Sequence, residues 1–301
     1  MSISAVVNTR NEEKNIKRCL DSVKWADEIV VVDMESTDKT VAMAKKYGAK
    51  TFSHRYTRYV EPARNYAISK ATGDWILILD ADEVILESLA KTLKKLAKSP
   101  KGASFFRLPR KNIIFGKWLK YSRWWPDLIV RFFKKGAVSW SDKIHRVPLT
   151  RGEGKDLEAK ETNAIIHYHY ESISQYLERL NRYTDIQLQE LIEAKYKFQW
   201  ADLIKKPTGE FLSRFFAGEG YKDGLHGLVV ALLQAFSEFV LYLKVWEKQG
   251  FKAQELPLQD FVAEMQQLGK ETAYWWTTTA MKELKNPLKK LQLRFKRKLS
   301  Q

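Results

Sequence analysis

The first hundred residues alternate between short apolar runs and helix-like stretches, and this alternation constrains the fold more than any other feature of the chain. Four runs have the length and branched apolar content of buried strands, and they cover residues 3–9, 28–33, 49–54 and 75–79. A stretch with apolar residues at helical spacing follows each run. We expect Ser36 to cap the second helix, Gly48 to end it and Pro62 to open the third. Four strand–helix repeats predict an α/β fold with a mainly parallel sheet.

The pattern changes after Ser99-Pro100. Four strand-like runs follow without helices between them, at residues 103–108, 128–133, 137–140 and 164–168. They predict an antiparallel addition to the parallel sheet. From residue 172 the chain is expected to be helical, with a break at Lys205–Gly209. We therefore predict three regions, which are residues 1–100, 101–171 and 172–301.

Two helices of the last region have unusual surfaces. Residues 225–246 are apolar around most of the helical circumference, and their polar side chains gather in one narrow stripe formed by His226, Gln234, Ser237 and Lys244. Such a helix lies either in a protein core or in a bilayer interface. Residues 284–299 form a basic amphipathic helix, which suits an anionic membrane surface. A solvated tail helix or a nucleic-acid-binding arm is the alternative for this segment.

The net charge of +16 on 301 residues indicates an anionic partner, which is nucleic acid, phospholipid head groups or a phosphorylated substrate. The single cysteine, Cys19, allows no intramolecular disulfide, fits a reducing compartment and is expected to be a core residue. The first residues enter a strand pattern directly, so no signal peptide is expected. No stretch of 18 residues is free of charged or strongly polar side chains, so no simple membrane span is expected.

Three acids, Asp80, Asp82 and Glu83, follow the fourth predicted strand. Strand geometry predicts that Asp80 and Asp82 lie on the same side of the chain. Ligands of open α/β sheets bind at this carboxyl edge. Neighbouring carboxylates repel one another unless a cation or a proton neutralises them. From the residues alone two interpretations stay open: a divalent-metal site that holds a diphosphate, or a solvated acidic turn that caps the next helix.

Five short motifs in order resemble those of the family 2 glycosyltransferases. They are Asn11-Glu12-Glu13, Val31–Asp38, Arg64–Ala67, Gly73–Trp75 and Asp80–Glu83. The resemblance is closest to lipopolysaccharide-core glucosyltransferases and continues less tightly through residues 126–168. It implies a Rossmann-like GT-A fold, to which the periodicity of the last region adds C-terminal amphipathic helices. It also implies a nucleotide-sugar donor, a Mg²⁺ or Mn²⁺ ion, and inversion at the sugar carbon.

The resemblance assigns roles by position. The residues implied to bind the nucleotide sugar are Thr9, Arg10, Asn11, Glu12, Asp33, Arg64 and Asp80. Asp82 would ligate the metal, and His145 would contact the metal or the diphosphate. The aromatic and basic loop at 118–126 is either an acceptor site or a packed structural loop, and the acceptor-binding residues we predict are Trp124, Trp125 and Arg131.

Two positions depart from the family pattern. Met34 stands where many relatives have a second acid, so recognition of the base is expected to differ. Arg146 stands where close relatives often have a glutamate that is a candidate general base. An inverting transfer needs a base to accept the proton of the attacking hydroxyl. We expect Asp142 to serve, and after it Asp127, with a surface or capping role as the alternative for each.

We therefore expect an inverting, metal-dependent glycosyltransferase that is peripheral on the cytoplasmic face of the cell membrane. Residues 1–100 would bind a nucleotide sugar, most simply a UDP-sugar, and residues 101–171 would bind a lipid-linked or lipopolysaccharide-type acceptor. The helices at 172–301 would contact the membrane. His167 and His169 are expected to be structural.

Three rival classes remain. No nucleic-acid recognition module is visible, so no nucleic-acid partner is expected despite the charge. A nucleotidyltransferase usually has glycine in the loop after its first strand, and residues 8–13 contain none. A catalytically inactive relative that acts as a scaffold stays open because of Arg146.

Overall fold

The computed structural model describes residues 1–57, 60–99, 102–141 and 147–299, with side chains as far as residue 294. The chain forms two compact units. The sheet unit comprises Met1–Trp118 and Trp124–Glu171, and the helical unit comprises Leu119–Arg123 and Ser172–Gln301.

The first part of the sheet unit alternates strand and helix. In chain order its elements are β1 (Ile3–Thr9), α1 (Ile16–Ser22), β2 (Glu28–Asp33), α2 (Thr40–Lys46), β3 (Lys50–Ser53), α3 (Glu61–Lys70), β4 (Trp75–Asp80), β5 (Glu83–Ile85) and α4 (Glu87–Ala97). The parallel strands lie in the order β3-β2-β1-β4. Their carboxyl ends therefore meet at one edge of the sheet.

The second part of the sheet unit consists of strands. They are β6 (Phe105–Ile114), β7 (Lys117–Trp118), β8 (Leu128–Lys134), β9 (Val138–Ser139), β10 (Leu149–Thr150), β11 (Gly154–Asp156) and β12 (Ile165–Tyr170). β8 pairs antiparallel with both β4 and β6, which confirms the predicted antiparallel addition. β12 runs parallel to β6 and antiparallel to β5, where His167 pairs with Glu83. This pairing brings β12 beside the acidic residues that follow β4.

Both faces of the central strands are covered. Along β4, Leu77 and Leu79 join the cluster that includes residues of α1 and α4, whereas Ile76 and Ile78 join the cluster that includes residues of α3. Successive side chains of a strand point to opposite faces, so a strand buried on both sides is apolar throughout. Each fully buried side chain of this size contributes about 1.5–3 kcal/mol. The uninterrupted apolar runs in the sequence have this cause.

The described part of the helical unit contains five α-helices. They are α5 (Ile173–Glu193), α6 (Asp202–Leu212), α7 (Leu225–Lys248), α8 (Leu258–Glu283) and α9 (Pro287–Leu299). The Ser172 side chain caps α5 by accepting a 3.1 Å hydrogen bond from the Gln175 amide. Leu188 of α5 packs with Leu241 and Val245 of α7 in one apolar cluster.

The cap predicted for α2 was wrong. The Ser36 hydroxyl donates to the Asp33 carboxylate over 2.5 Å and does not cap the helix. Asp38 instead accepts the Thr40 amide at 2.9 Å where α2 begins. Ser36 is four residues ahead of the helix, which is too far for the usual bond from an N-cap side chain to the second or third helical amide. Gly48 has φ +75° just after the end of α2, as expected of a terminating glycine.

The break predicted at Lys205–Gly209 was also wrong, because these residues lie inside α6. The interruption comes earlier, between the end of α5 at Glu193 and the start of α6 at Asp202. A proline within a helix removes one backbone hydrogen bond. Packing on both sides of Pro207 offsets that loss, since Leu203 contacts an apolar cluster and Leu212 is buried.

α7 bears on the expectation that the chain has no simple membrane span. Within the described ranges it is the one helix that is long and apolar enough to cross a membrane, judged by length and composition alone. Its most apolar window contains isolated polar residues such as Gln234, which the sequence argument had treated as disqualifying. One third of that window is buried within the protein.

Candidate functional site

The carboxyl edge of the parallel sheet gathers polar residues from distant parts of the chain. Thr9 of β1 pairs with Asp33 of β2, and Asn8 of β1 pairs with Asp80 of β4. Because the strands are parallel, these side chains project from one edge. Asn8 was missed at the level of sequence, because it lies within the first apolar run.

Several buried polar atoms at this edge have no hydrogen-bond partner among the described residues. They are both amide atoms of Asn8, Oγ1 of Thr9, and Nε and Nη1 of Arg64. These three residues are at least 94% buried. Buried polar atoms are nearly always paired in folded proteins, so such a group needs an explanation. A polar ligand bound at this edge would supply the missing partners.

Arg64, Asp80 and Arg131 form an ion cluster in which both arginines are buried and Asp80 is partly exposed. Arg64 Nη2 donates to both carboxylate oxygens of Asp80, at 2.8 and 3.0 Å. Arg131 Nη2 donates to Asp80 Oδ2 at 2.6 Å and to Glu83 Oε1 at 3.0 Å. Burial opposes ionisation of Asp80, but Arg131 and Arg64 together hold its pKa well below the usual range. Asp80 is therefore an ionised group that orients two arginines.

Asp33 and Asn11 tie the loop after β1 to the loop after β2. Asp33 Oδ2 accepts the Ser36 amide at 2.9 Å. Ser36 Oγ accepts the Asn11 amide at 2.8 Å, and Asn11 Oδ1 accepts the Thr37 amide at 2.8 Å. Asn11 has φ +52°, a conformation that asparagine adopts more readily than most residues. These predicted donor-site residues thus also build the edge.

Arg10 and Glu12 are held in the same loop. The Arg10 guanidinium lies 3.5 Å from the centre of the Tyr56 ring, which is a cation–π contact. Glu12 accepts a 2.6 Å hydrogen bond from Asn15 Nδ2, and its amide donates to Thr40 Oγ1 at 2.8 Å. Contact of either residue with a nucleotide stays a prediction.

A chain of contacts joins Asp82 to Asp127. Asp127 Oδ2 accepts hydrogen bonds from Arg110 Nε at 2.8 Å and from Asn112 Nδ2 at 2.9 Å. Because the Asn112 amide nitrogen donates there, its Oδ1 accepts from His167 Nδ1 at 2.7 Å. His167 Nε2 lies 3.6 Å from Asp82 Oδ2. His167 Nε2 therefore faces the Asp82 carboxylate and also lies 3.3 Å from His169 Nδ1.

The donor atoms around Asp82 fit a divalent ion that takes most of its ligands from a substrate. No cluster of three or more His, Cys, Asp or Glu side chains suited to a metal occurs in the described ranges. Asp82 and His167 supply one carboxylate and one imidazole. Mg²⁺ and similar ions are commonly held by one or two carboxylates, substrate phosphates and water. His167 was expected to be structural, and only the β5–β12 pairing brings it to the acidic residues.

Comparison with known proteins identifies the family. A family model described as glycosyl transferase family 2 matches residues 4–151. An uncharacterized glycosyltransferase of Rickettsia typhi is 30% identical over 254 residues, which cover 81% of this chain and 87% of the relative. The chain belongs to glycosyltransferase family 2. Its α/β architecture is that of the GT-A fold, as expected, and the family uses nucleotide sugars as donors.

Three further proteins resemble this glycosyltransferase at lower sequence identity. The lipopolysaccharide core biosynthesis glycosyltransferase LpsC of Rhizobium meliloti is 24% identical over 84% of this chain and 95% of its own length. The structure of S. aureus TarS residues 1–349 aligns over 83% of this chain and 92% of that chain, with TM-score 0.42 and 16% identity. Glucosyl-3-phosphoglycerate synthase from Mycobacterium tuberculosis, solved with Mn²⁺ and UDP-glucose, aligns over 35% of this chain and 42% of that chain, with TM-score 0.31 and 23% identity.

The three residues predicted to bind the acceptor lie in different environments. The Trp124 ring lies 5.5 Å from that of His169, and Trp125 meets Trp118 edge-on at 5.2 Å. Both predicted tryptophans are partly exposed. Arg131, in contrast, is 5% exposed and its guanidinium contacts Asp80 and Glu83. In this structure Arg131 orients Asp80 and Glu83, and its contact with the acceptor stays a prediction.

Asp142, His145 and Arg146 lie outside the described residues, so their predicted roles stay predictions. The chain is anchored shortly before them, because the Asn65 amide exchanges hydrogen bonds of 2.7 and 2.8 Å with the backbone of Trp140. Cys19 is fully buried, and burial raises its pKa, as expected for a core residue.

Proposed function

We propose that this family 2 glycosyltransferase transfers a sugar from a UDP-sugar to a lipid-linked or lipopolysaccharide-type acceptor, with inversion, at the cytoplasmic surface of the membrane. The observation that carries the donor part is the set of buried, unpartnered polar atoms of Asn8, Thr9 and Arg64 at the sheet edge. A nucleoside diphosphate offers acceptors and negative charge for the N–H and O–H donors of this set, and its ribose hydroxyls can donate to Asn8 Oδ1.

Arg64 is the main contact that we assign to the diphosphate. Asp80 holds its Nη2, which leaves Nε and Nη1 for a ligand. Burial lowers the pKa of Arg64 and Asp80 opposes that effect, but an arginine stays protonated in proteins. A buried guanidinium is therefore a preorganised positive charge for a diphosphate that gains negative charge as it leaves.

Mg²⁺ or Mn²⁺ would be held by Asp82, with His167 beside it. When bound, the ion stabilises negative charge on the leaving diphosphate. His145, which we also predict at this ion, can be tested only by substitution. Support for a metal comes from the donor atoms around Asp82 and from the Mn²⁺ and UDP-glucose named for the mycobacterial synthase.

The acceptor hydroxyl needs a base, and Asp142 and Asp127 are our candidates. In the transfer, the hydroxyl oxygen forms a bond to the sugar carbon while the bond from that carbon to the diphosphate breaks. The base takes the hydroxyl proton. Asp127 is held by Arg110 and Asn112 through Oδ2, so its position is fixed before substrate binds.

The acceptor class and the membrane location rest on composition and surface. The partly exposed Trp124 and Trp125 suit stacking on a sugar ring. In α9, Leu288 and Leu291 are exposed between basic residues that include Lys289 and Arg294. Such a surface binds anionic lipid. The name of the Rhizobium relative LpsC points to the same class of acceptor.

A donor screen tests the proposal. Purified protein is incubated with a panel of nucleotide sugars and Mn²⁺, and release of nucleoside diphosphate is measured. We expect slow hydrolysis of a UDP-sugar, which Asp82→Ala abolishes. Asp156→Ala, which breaks an exposed ion pair with Arg107, is the matched control and should not change the rate. Absence of both hydrolysis and nucleotide binding with every donor would defeat the donor assignment.

A further inference from the structure

α7 has its polar and apolar faces in the reverse of the usual arrangement. A surface helix of a soluble protein turns its apolar face to the core and its polar face to water. As far as Trp246, the exposed side chains of α7 are apolar and its polar side chains are at least partly buried, whereas Glu247 and Lys248 at its end are exposed.

The polar stripe of α7 is satisfied by neighbouring helices. Gln234 Nε2 donates to the Tyr176 hydroxyl at 2.9 Å, and that hydroxyl lies 2.8 Å from Ser237 Oγ. Tyr176, on α5, is 2% exposed. Further along, Lys244 Nζ lies 2.6 Å from Asp185 Oδ1 of α5. The polar stripe therefore holds α7 against α5, and its outermost ion pair remains in contact with water through Asp185, whose side chain is 50% exposed.

The opposite face of α7 is apolar from its start almost to its end. We call this face the outer stripe, and it consists of Leu225, Val229, Leu232, Phe236, Val240 and Leu243. Its residues repeat every three or four positions, so they form one ridge about 27 Å long. Leu225, Leu232 and Phe236 are 71%, 51% and 45% exposed. An exposed apolar ridge of this length marks an interaction surface.

We propose that the outer stripe of α7 enters the apolar layer of an anionic phospholipid bilayer, with α7 lying in the plane of the membrane. This rests on the membrane location proposed above and names the surface that enters the lipid. The other face of α7 is covered by α5 and α6 and carries the Lys244–Asp185 ion pair, which a helix crossing the bilayer would place among acyl chains. An in-plane helix keeps that pair on the aqueous side.

Charge favours a bilayer over a second copy of this chain as the occupant. The chain has a net charge of +16, so two copies repel each other, whereas anionic lipid attracts the protein. The helical unit also exposes Lys285, Lys289 and Arg294 in and just before α9. These cations would bring the protein to the lipid surface, where the outer stripe adds apolar burial.

Site-specific labelling tests the proposal. Cys19 is fully buried, so a cysteine introduced by Leu232→Cys or Phe236→Cys takes an environment-sensitive NBD label selectively. Leu149→Cys, at a position 67% exposed in the sheet unit, is the matched control. The labelled full chains are mixed with vesicles of equal parts phosphatidylcholine and phosphatidylglycerol, with and without doxyl-labelled lipid. We expect a blue shift and doxyl quenching at 232 and 236 and neither at 149.

A charge substitution gives an independent measure. Leu232→Glu should lower affinity for the same vesicles by about tenfold or more, because it replaces apolar burial by a carboxylate. Leu149→Glu should leave that affinity unchanged. Hydrolysis of the nucleotide sugar in lipid-free solution should be the same for both variants, which separates this test from that of the donor site.

Each other outcome overturns the proposal in a distinct way. Vesicle binding with a label at 232 that stays in water would refute burial of the outer stripe and leave the peripheral location standing. No vesicle binding by the wild-type chain would refute both. A lipid-free dimer that Leu232→Glu dissociates would assign the stripe to a second copy.

Discussion

Arg131 Nη2 lies 2.6 Å from Asp80 Oδ2, and this contact joins the antiparallel part of the sheet to the acidic end of β4. The same nitrogen reaches Glu83, and Glu83 also lies 3.5 Å from Arg110. Arg110 in turn holds Asp127. A continuous set of ion pairs thus runs from the proposed diphosphate contact to a candidate base. Both ends of the site are positioned by one network before any substrate binds.

Arg131→Met should destabilise the fold strongly. It leaves Asp80 with one arginine and deprives Glu83, which is fully buried, of its 3.0 Å partner. Removing one partner of a buried pair costs about 3–5 kcal/mol. Urea unfolding measures the loss. Arg107→Met, at an exposed pair with Asp156, is the control and should cost less than about 1 kcal/mol. Equal losses for the two variants would contradict the structural role of Arg131.

Arg64→Lys should weaken binding of the nucleotide. Lysine keeps the positive charge next to Asp80 but removes the two guanidinium nitrogens that have no partner among the described residues. The loss of charge-assisted hydrogen bonds predicts a roughly 10- to 100-fold weaker affinity for UDP. Isothermal titration with Mn²⁺ present measures it, with Arg107→Lys as the control. An unchanged affinity would mean that these nitrogens do not contact the donor.

Glu28 should account for part of the stability that the protein loses in acid. Burial raises its pKa, but hydrogen bonds from Lys50, Ser4 and Thr72 outweigh that effect and lower the pKa to about 2 from an ordinary value of 4.5. Because the pKa is depressed in the folded state, Glu28 contributes its stability above about pH 4.5, and the contribution disappears as the pH falls toward 2.

The contribution of Glu28 to the free energy of unfolding is at most about 3 kcal/mol, at 1.36 kcal/mol per pKa unit. The free energy of unfolding of the wild-type chain should therefore fall more steeply between pH 4.5 and pH 2 than that of Glu28→Gln. Glu153→Gln, at a side chain 69% exposed, should keep the wild-type slope. Identical slopes for all three proteins would show that Glu28 is not the group responsible.

The parallel half of the sheet could be predicted because its signals are local. The run from Trp75 to Leu79 is apolar at every position, and that property depends only on burial of both faces. Pro207 shows the limit of local signals. A proline predicts an interruption wherever it occurs, but packing decides whether the helix continues, and packing depends on residues elsewhere in the chain.

Site residues at the end of an evident strand could be predicted from the sequence. Those that reach the site only through pairing of distant strands could not. Asp80 and Asp82 follow an evident strand. His167 reaches Asp82 only because β12 pairs with β5, more than 80 residues away in the chain, and no local pattern shows that pairing. Arg131 is similar, because a basic residue at a strand gives no sign of which acids it will meet.

The basic surface of α9 should control the strength of membrane binding. The triple variant Lys289→Ala, Lys290→Ala, Arg294→Ala removes three cations, each worth about 1 kcal/mol near anionic lipid. Affinity for phosphatidylglycerol vesicles should fall roughly 100-fold at low salt, and the difference should shrink as salt is raised. Vesicle co-sedimentation measures it. A triple alanine variant of Lys91, Lys94 and Lys95 on α4 removes the same charge from the sheet unit. An equal loss of vesicle affinity in the two triple variants would show that net charge, and not the surface of α9, controls binding.

Asp127→Asn separates the two candidate bases. The amide oxygen of asparagine can still accept the hydrogen bonds that Arg110 and Asn112 give to Asp127 Oδ2, so the local structure should persist. What is lost is the ability to take a proton from the acceptor hydroxyl. If Asp127 is the base, kcat for transfer to the acceptor should fall about 10²- to 10⁴-fold with little change in the affinity for UDP.

Asp142→Asn is measured in parallel, because Asp142 is our first choice of base. A large fall in kcat for Asp142→Asn with an unchanged Asp127→Asn would assign the proton transfer to Asp142 and leave Asp127 as a structural partner of Arg110. Transfer at the wild-type rate by both variants would refute both assignments.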